Sequence, residues 1–336
     1  MTSINNIADF RVMLDGKDLS DRLRPRLISL RLSEKRGGDA DELEIAITDH
    51  DGRMALPSAG ATLTVQLGWK AGSDVAVGLV DKGRFVVDAI EHSGPPDVIV
   101  IRARSADMTS AIRTRREQSW HKTTLGTILN QVAARNKLSV RCAPSLASHQ
   151  VAALTQGRES DMALLRRLGR EHDATATIKA GTLIFAPIGA ATTTSGAKVP
   201  GLTIKRADGD RHTFRIEKRE EVGEVEAHWH DQKGAKKKSV KAGSGPGPTR
   251  RLTRTYASED AARKAAAAES SRAGRTPRKL DLGLALGRLE IYPDRPVTAS
   301  GFKAEIDAVR WLVADVTHEL LPDRGFTSSV TLESAG

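Results

Sequence analysis

Three observations place this chain in the mainly β class with an inserted α+β segment. Short runs of alternating apolar and polar residues recur from residue 9 to 105, divided by turn-forming residues. From 115 to 190 the apolar period becomes that of amphipathic helices. After an alanine-rich helix, short apolar strands return toward the C-terminus.

The early strands are predicted at Phe10–Leu14, Leu27–Leu32, Leu43–Ile47, Leu63–Leu67, Gly83–Val87 and Val98–Ile101. Asp15-Gly16, Gly37-Gly38, Asp51-Gly52, Gly72-Ser73 and Gly94-Pro95-Pro96 break them, because these residue types accept positive φ or preset a turn. Six closely spaced strands of this kind favour a barrel or a sandwich.

A first helix is predicted behind a Thr123/Thr124 cap, with Leu125, Ile128, Leu129, Val132 and Ala133 on one face and an end near Asn136. A second starts at Ser160. It turns Met162, Leu164, Leu165 and Leu168 inward and leaves Arg166, Arg167 and Arg170 in water. Strands at Ala176–Ile178 and Thr182–Phe185 complete a small α+β domain.

Residues 190 to 200 read as a linker, and Gly234 to Pro248 as a mobile loop carrying a lysine run. Ser258-Glu259-Asp260 opens the alanine-rich helix, which Gly274 and Pro277 close. Strands follow at Leu280–Leu284, Leu289–Tyr292, Val297–Ala299, Trp311–Thr317 and Thr327–Leu332.

A length of 336 residues allows two or three domains, and aromatics at 4% mean that the cores rest on Leu, Val, Ile and Ala. The lone Cys142 makes neither an intrachain disulfide nor a redox pair. No signal-peptide pattern opens the chain and no apolar run is long enough to span a bilayer, so a soluble, unexported protein without membrane insertion is expected.

The net charge of +10 is unevenly spread: Asp231 to Tyr256 holds eight Lys/Arg and one acid, which leaves +3 for the rest. Lys233, Lys236, Lys237, Lys238, Lys241, Arg250, Arg251 and Arg254 are therefore candidates for electrostatic contact with an acidic partner or DNA. Arg102, Arg104, Arg113, Arg115 and Arg116 form a second basic group. A solvated loop is the commoner fate of such a run, and few aromatics interleave to stack on single strands.

Other constellations are weak. His228 and His230 share a strand face with Asp231 next, but no third metal ligand stands at suitable spacing. His318-Glu319 opens like a zinc-protease motif, yet Leu320, Leu321 and Pro322 follow it. Glu159 and Asp161 match the acid pair of a cell-wall hydrolase less well than they match the acids of a helix start. No serine-nucleophile elbow, phosphate loop or dinucleotide glycine pattern occurs. No catalytic, cofactor or metal site is nominated, and the protein is expected not to be an enzyme.

A series of phrases in fixed order carries more. Asp41–Gly52, Gly60–Gly68, Gly83–Asp88 ahead of Gly94-Pro95-Pro96, Ser119–Leu125, Gln156–Asp161 with Leu164–Leu168, Val297–Phe302, Trp311–Leu320 and Gly325–Thr327 resemble the late control D family of contractile-tailed phages. That family is related to the hub part of VgrG spike proteins, and the resemblance runs from about residue 9 to 333. It implies two β-barrel-like hub domains plus a small α+β domain: 1–112 the first barrel, 113–195 the α+β domain, and 196–336 the second barrel with a basic Gly/Pro loop at 233–249 and a helix at 258–273.

The resemblance further implies a structural baseplate hub in a phage or phage-like particle: a homotrimeric ring between tail tube and central spike. Tube or tube-initiator and tape-measure proteins would be its neighbours. It would assemble in the host cytoplasm and reside in the virion tail baseplate. The chain stops soon after the second barrel, so the spike is expected to be a separate protein. The alternative reading is a basic nucleic-acid-binding protein, whereas a hub would touch DNA at most transiently.

Overall fold

The computed structural model describes residues 5–37, 40–105, 110–179, 181–188, 199–216, 223–231, 234, 236–244, 247–274 and 278–335. Two units divide the chain, one holding 1–108, 201–214 and 280–333, the other 109–200, 215–279 and 334–336. This differs from three consecutive domains. Residues 215–279 leave the C-terminal barrel segment and join the unit that contains the α+β segment.

The first unit begins with β1 (Ile7–Leu14), β2 (Lys17–Asp18), the helical turn α1 (Ser20–Leu23), β3 (Leu27–Lys35), β4 (Glu42–Thr48), β5 (Thr62–Ala71), β6 (Gly78–Ser93) and β7 (Val98–Ser105). The second unit then runs through α2 (Ser110–Arg113), β8 (Arg115–Thr124), α3 (Leu125–Arg135), β9 (Ser139–Cys142), α4 (Pro144–Ala147), β10 (Gln150–Ser160), α5 (Asp161–Glu171), β11 (Ala174–Lys179) and β12 (Thr182–Pro187). Strands β13 (Leu202–Lys205) and β14 (Gly209–Ile216) return to the first sheet. Next come β15 (Val225–Asp231), β16 (Lys236–Ala242), β17 (Arg250–Tyr256) and α6 (Glu259–Gly274) in the second unit. The closing elements are β18 (Arg278–Leu284), β19 (Pro296–Ser300), α7 (Ala304–Asp307), β20 (Arg310–Leu321) and β21 (Gly325–Ser334).

One 13-stranded sheet builds the first unit, in the order β14-β18-β21-β20-β3-β4-β7-β6-β5-β1-β2, with β13 and β19 attached beside β20. It wraps two cores. Phe10, Leu30, Leu32, Ile45, Leu67 and Phe85 belong to one, and Ile204, Leu280, Trp311, Val313, Val316 and Leu332 to the other. Strand β20 serves both: its start pairs with β19 at Arg310–Leu312, and its later part pairs with β3 at Asp315–Leu320. Trp311 and Val316 therefore enter one core and Leu320 the other.

Two glycines permit close approaches here. A Cβ on Gly68 would lie 1.8 Å from the Gly78 carbonyl oxygen, where β5 and β6 pair. A Cβ on Gly287 would lie 2.3 Å from the Phe326 ring. The Gly287 carbonyl accepts from Trp69 Nε1 at 3.0 Å, and the Trp69 and Phe326 rings stand 5.4 Å apart. The strand expected at Leu289–Tyr292 is instead a turn at Leu289 and Glu290 followed by irregular chain ahead of Pro293. Pro293 cannot donate to a sheet ladder, and Leu289 and Ile291 act as plugs, one in each core.

In the second unit, β8 and β10 form an antiparallel pair, and β9, β12 and β11 form a three-stranded sheet. Helix α3 buries Leu125, Ile128, Leu129, Val132 and Ala133, and its Thr124 cap accepts from the Thr127 amide. Helix α5 is capped by Ser160 and buries Met162, Leu164, Leu165 and Leu168. Arg167, expected in water, is only 15% exposed. It is held by Glu159 and, at 3.3 Å, by Glu171. A long side chain can lie along the helix when a carboxylate waits at the end of its reach.

The lysine run expected in a loop forms strand β16, antiparallel to β15, with Lys236 opposite Asp231 and Ala242 opposite Val225. Weak β propensity is overridden because Val240 and Ala242 pack on a small core of Val225, Ala227, Ala262 and Ala266. The alanines of α6 let that helix lie close against the sheet.

Asp161 has no exposed surface and anchors the α+β segment. Arg135 binds it through Nε at 2.9 Å and through Nη2, and Asn136 Nδ2 and Gln156 Nε2 donate to it at 2.7 and 2.9 Å. Arg135 also donates to Gln118 at 2.5 Å and to Gln156 Oε1 at 2.9 Å. Removing one partner of such a buried pair leaves an uncompensated charge. Asp161→Ala is expected to cost about 3–5 kcal/mol of stability, read as a lowered urea midpoint, whereas a change in exposed Glu117 should cost under about 1 kcal/mol.

Candidate functional site

Strands β16 and β17 flank β15 and gather the described members of the basic stretch onto one small sheet. Lys233 lies outside the described residues. Carboxylates of the sheet and of its neighbours answer the basic side chains. Lys238 pairs with Asp231 at 2.7 Å and Lys241 with Glu224 at 2.7 Å. Arg250 pairs with Glu269 at 3.1 Å, Arg251 with Glu226 at 2.8 Å and Arg254 with Glu171 at 3.2 Å. Glu226 is held below the usual carboxylate range by hydrogen bonds from Ser239 and then Arg251. Lys236 and Lys237 have no carboxylate partner among the described residues. Much of the charge excess legible in the sequence is therefore neutralised by Glu224, Glu226, Glu269 and Glu171, which lie outside the basic stretch.

The second basic group is also dispersed. Arg102 binds Glu44 and Glu91 at 2.9 and 3.1 Å and Arg104 binds Asp88 at 3.0 Å, all in the first unit. Arg116, in the second, stands 3.7 Å from Asp161.

Neither carboxylate of the Glu159/Asp161 pair is free for acid–base work: Glu159 faces Arg167, and Asp161 is locked under Arg135, Asn136 and Gln156. The described residues contain no group of three His, Cys, Asp or Glu side chains that could hold a metal. His228 and His230 lie on β15, facing Ser239 and Lys237 across the ladder.

His318 is fully buried on β20. Its Nδ1 lies 2.8 Å from Ser328 Oγ, which accepts from the Arg288 amide at 3.0 Å, and its Nε2 lies 3.4 Å from Glu34. The arrangement fits a neutral ring with its proton on Nε2. Burial lowers the imidazole pKa. Burial also pushes the Glu34 carboxyl up, but the hydrogen bond from His318 and the charge of Lys82, 2.9 Å away, hold it down to about 2. This cluster draws on β3, β6, β20 and β21, a set that no local motif signals.

Comparison with known proteins decides the family. Residues 42–321 match the model of the phage tail baseplate hub (GPD) family. The chain belongs to the phage tail baseplate hub family. The probable baseplate hub protein of Escherichia phage P2 is 38% identical over 97% of this chain and 92% of its own length. The fold matches the 43 kDa tail protein of prophage MuSo2 from Shewanella oneidensis at a TM-score of 0.70, with 15% identity over 98% of this chain and 99% of that one. It also matches an E. coli component of the type VI secretion system, at a TM-score of 0.51 and 13% identity over 91% and 73% of the two chains.

In this hub protein the phrases that carry the resemblance have structural work. Gln156 to Asp161 supplies the lock around Arg135, and Trp311 to Leu320 lies on β20, which, like β21, serves both cores. The nucleic-acid alternative is not supported. The family is a tail hub family, and most cations of the basic sheet are paired with carboxylates of the same unit.

Two further histidines respond to pH. His172 and His149 stack edge to face at 4.8 Å, and the His172 pKa is lowered to about 4 by burial, then by the nearness of His149 and Lys264. Between about 6.5 and about 4 the unfolded hub binds a proton here that the folded hub refuses, so stability falls as pH falls through that window. Urea midpoints at about pH 7 and about pH 5 are expected to differ less for His172→Gln than for the wild type, by at most about 1.4 kcal/mol per pH unit.

Proposed function

We propose that three copies of this hub protein form a closed ring in the virion tail baseplate, seated between the tail tube and a separate central spike protein. The observation that carries this reading is the pair of cores on one continuous sheet in the first unit. Taken as two barrel-like halves, they let three chains present six barrels, which matches a six-fold tube to a three-fold spike. The relatives named for tails and for type VI secretion support the same setting.

The role is mechanical rather than catalytic. Assembly takes place in the host cytoplasm, and tube-initiator or tape-measure proteins contact the face opposite the spike. Among the described residues no helix is long and apolar enough to cross a membrane. Lys236 and Lys237 are the cations of the basic sheet best placed to meet an acidic partner, and contact with DNA is transient.

Light scattering after size exclusion tests the ring. A mass of about three chains that resists high salt, with an ultraviolet spectrum free of nucleic acid, is expected. A monomer that carries nucleic acid until salt removes it would overturn the reading.

A further inference from the structure

The second unit contains a cleft of about 780 Å³ with β10 on one side and β17 and the start of α6 on the other. Gln150 to Thr155, six consecutive residues of β10, line it. A sheet face would contribute every second residue, so an unbroken run means that the strand's edge, with its backbone N–H and C=O groups, forms the wall. Among the described residues β10 pairs with β8 alone, and in an antiparallel pair alternate residues turn their amides away from the partner. One end of this edge is closed by Arg167 Nη2, which donates to the Thr155 carbonyl at 3.0 Å. From Gln150 to Leu154 no such cover exists among the described residues.

The opposite wall includes Arg254, Thr255 and Tyr256 of β17, itself an outer strand of its sheet. Leu168, Ala257 and Ala261 make much of the remaining lining apolar. Of the lining cations, Arg254 is paired with Glu171 and Lys264 with Asp260, while Lys122 has no carboxylate among the described residues.

The β1 edge of the first unit is treated differently. There Ser20 Oγ accepts from the Val12 amide, the Leu19 amide covers the Val12 carbonyl, and Arg24 covers the Phe10 carbonyl. Exposed edges invite strand addition and are ordinarily blocked in this way. An unblocked edge inside an apolar cleft is a place built to accept a strand.

We propose that this cleft receives an extended, mainly apolar segment of another tail protein, which adds a strand to the β10 edge and sets an acidic side chain against Lys122. The proposal rests on the hub reading, since the partner is a component of the tail.

Amide hydrogen exchange, compared between the isolated chain and purified tails, tests it. In tails, the outward amides of Ala153 and Thr155 are expected to exchange at least about tenfold more slowly. Ala261→Trp, which fills the cleft from α6 without touching the β8–β10 ladder, is expected to abolish that difference, and the surface change Lys122→Glu to reduce it. Equal exchange in tails that contain the chain would overturn the cleft proposal and leave the hub reading standing. Absence of the chain from tails would overturn both. Protection already present in the isolated chain at high concentration would assign the cleft to a second copy and overturn the choice of partner. Full protection in a folded Ala261→Trp chain would also contradict strand entry.

Discussion

Strand β20 is the constraint on which the first unit depends. Twelve residues long, it hydrogen-bonds to β19 near its start and to β3 further along, so neither core can close without it. Four successive residues, Trp311 to Ala314, are buried, which means both faces of the strand are covered there. Beyond them, alternate burial resumes toward the second core. Where β20 passes between cores, the apolar interior gives way to the cluster of His318, Ser328, Glu34 and Lys82, with the Lys82 amine also 3.4 Å from the Leu289 carbonyl. Buried polar groups are tolerated when each finds a partner, and such a network holds registers that apolar packing alone leaves free to slip.

The second unit solves its own version of the problem. Its α+β segment is centred on one buried carboxylate, Asp161, that neutralises Arg135 and fixes the start of α5 against the end of α3. Its other sheet disperses a dense run of lysine and arginine by placing Asp231, Glu224, Glu226 and Glu269 among them.

Much of the fold was legible in the sequence. Alternation and turn residues located the early strands, because a half-buried antiparallel strand writes its period directly into the chain. Thr124 and Ser160 announced their helices by capping chemistry, and both caps are made. The failures share a cause in long-range pairing. The lysines of β16 become a strand only because β15 and α6 supply a surface for Val240 and Ala242. Leu289 to Ile291 looks like a strand because its apolar residues are plugs for two cores. Arg167 looks solvated until Glu159 and Glu171 are brought around it. Which segments share a unit was hidden for the same reason, since the strands and helix of residues 215–279 carry no local signal of which core they join.

In the proposed ring, two cores joined by β20 and β21 would give each chain paired, non-identical surfaces to present around an axis. Three-dimensional reconstruction of purified tails, at a resolution that separates individual β-barrels, measures this most directly. Six barrels around the tail axis, contributed by three copies and alternating between the β3–β7 kind and the β18–β21 kind, is the expected result. Six copies at that level, or a chain lying off the axis, would contradict it.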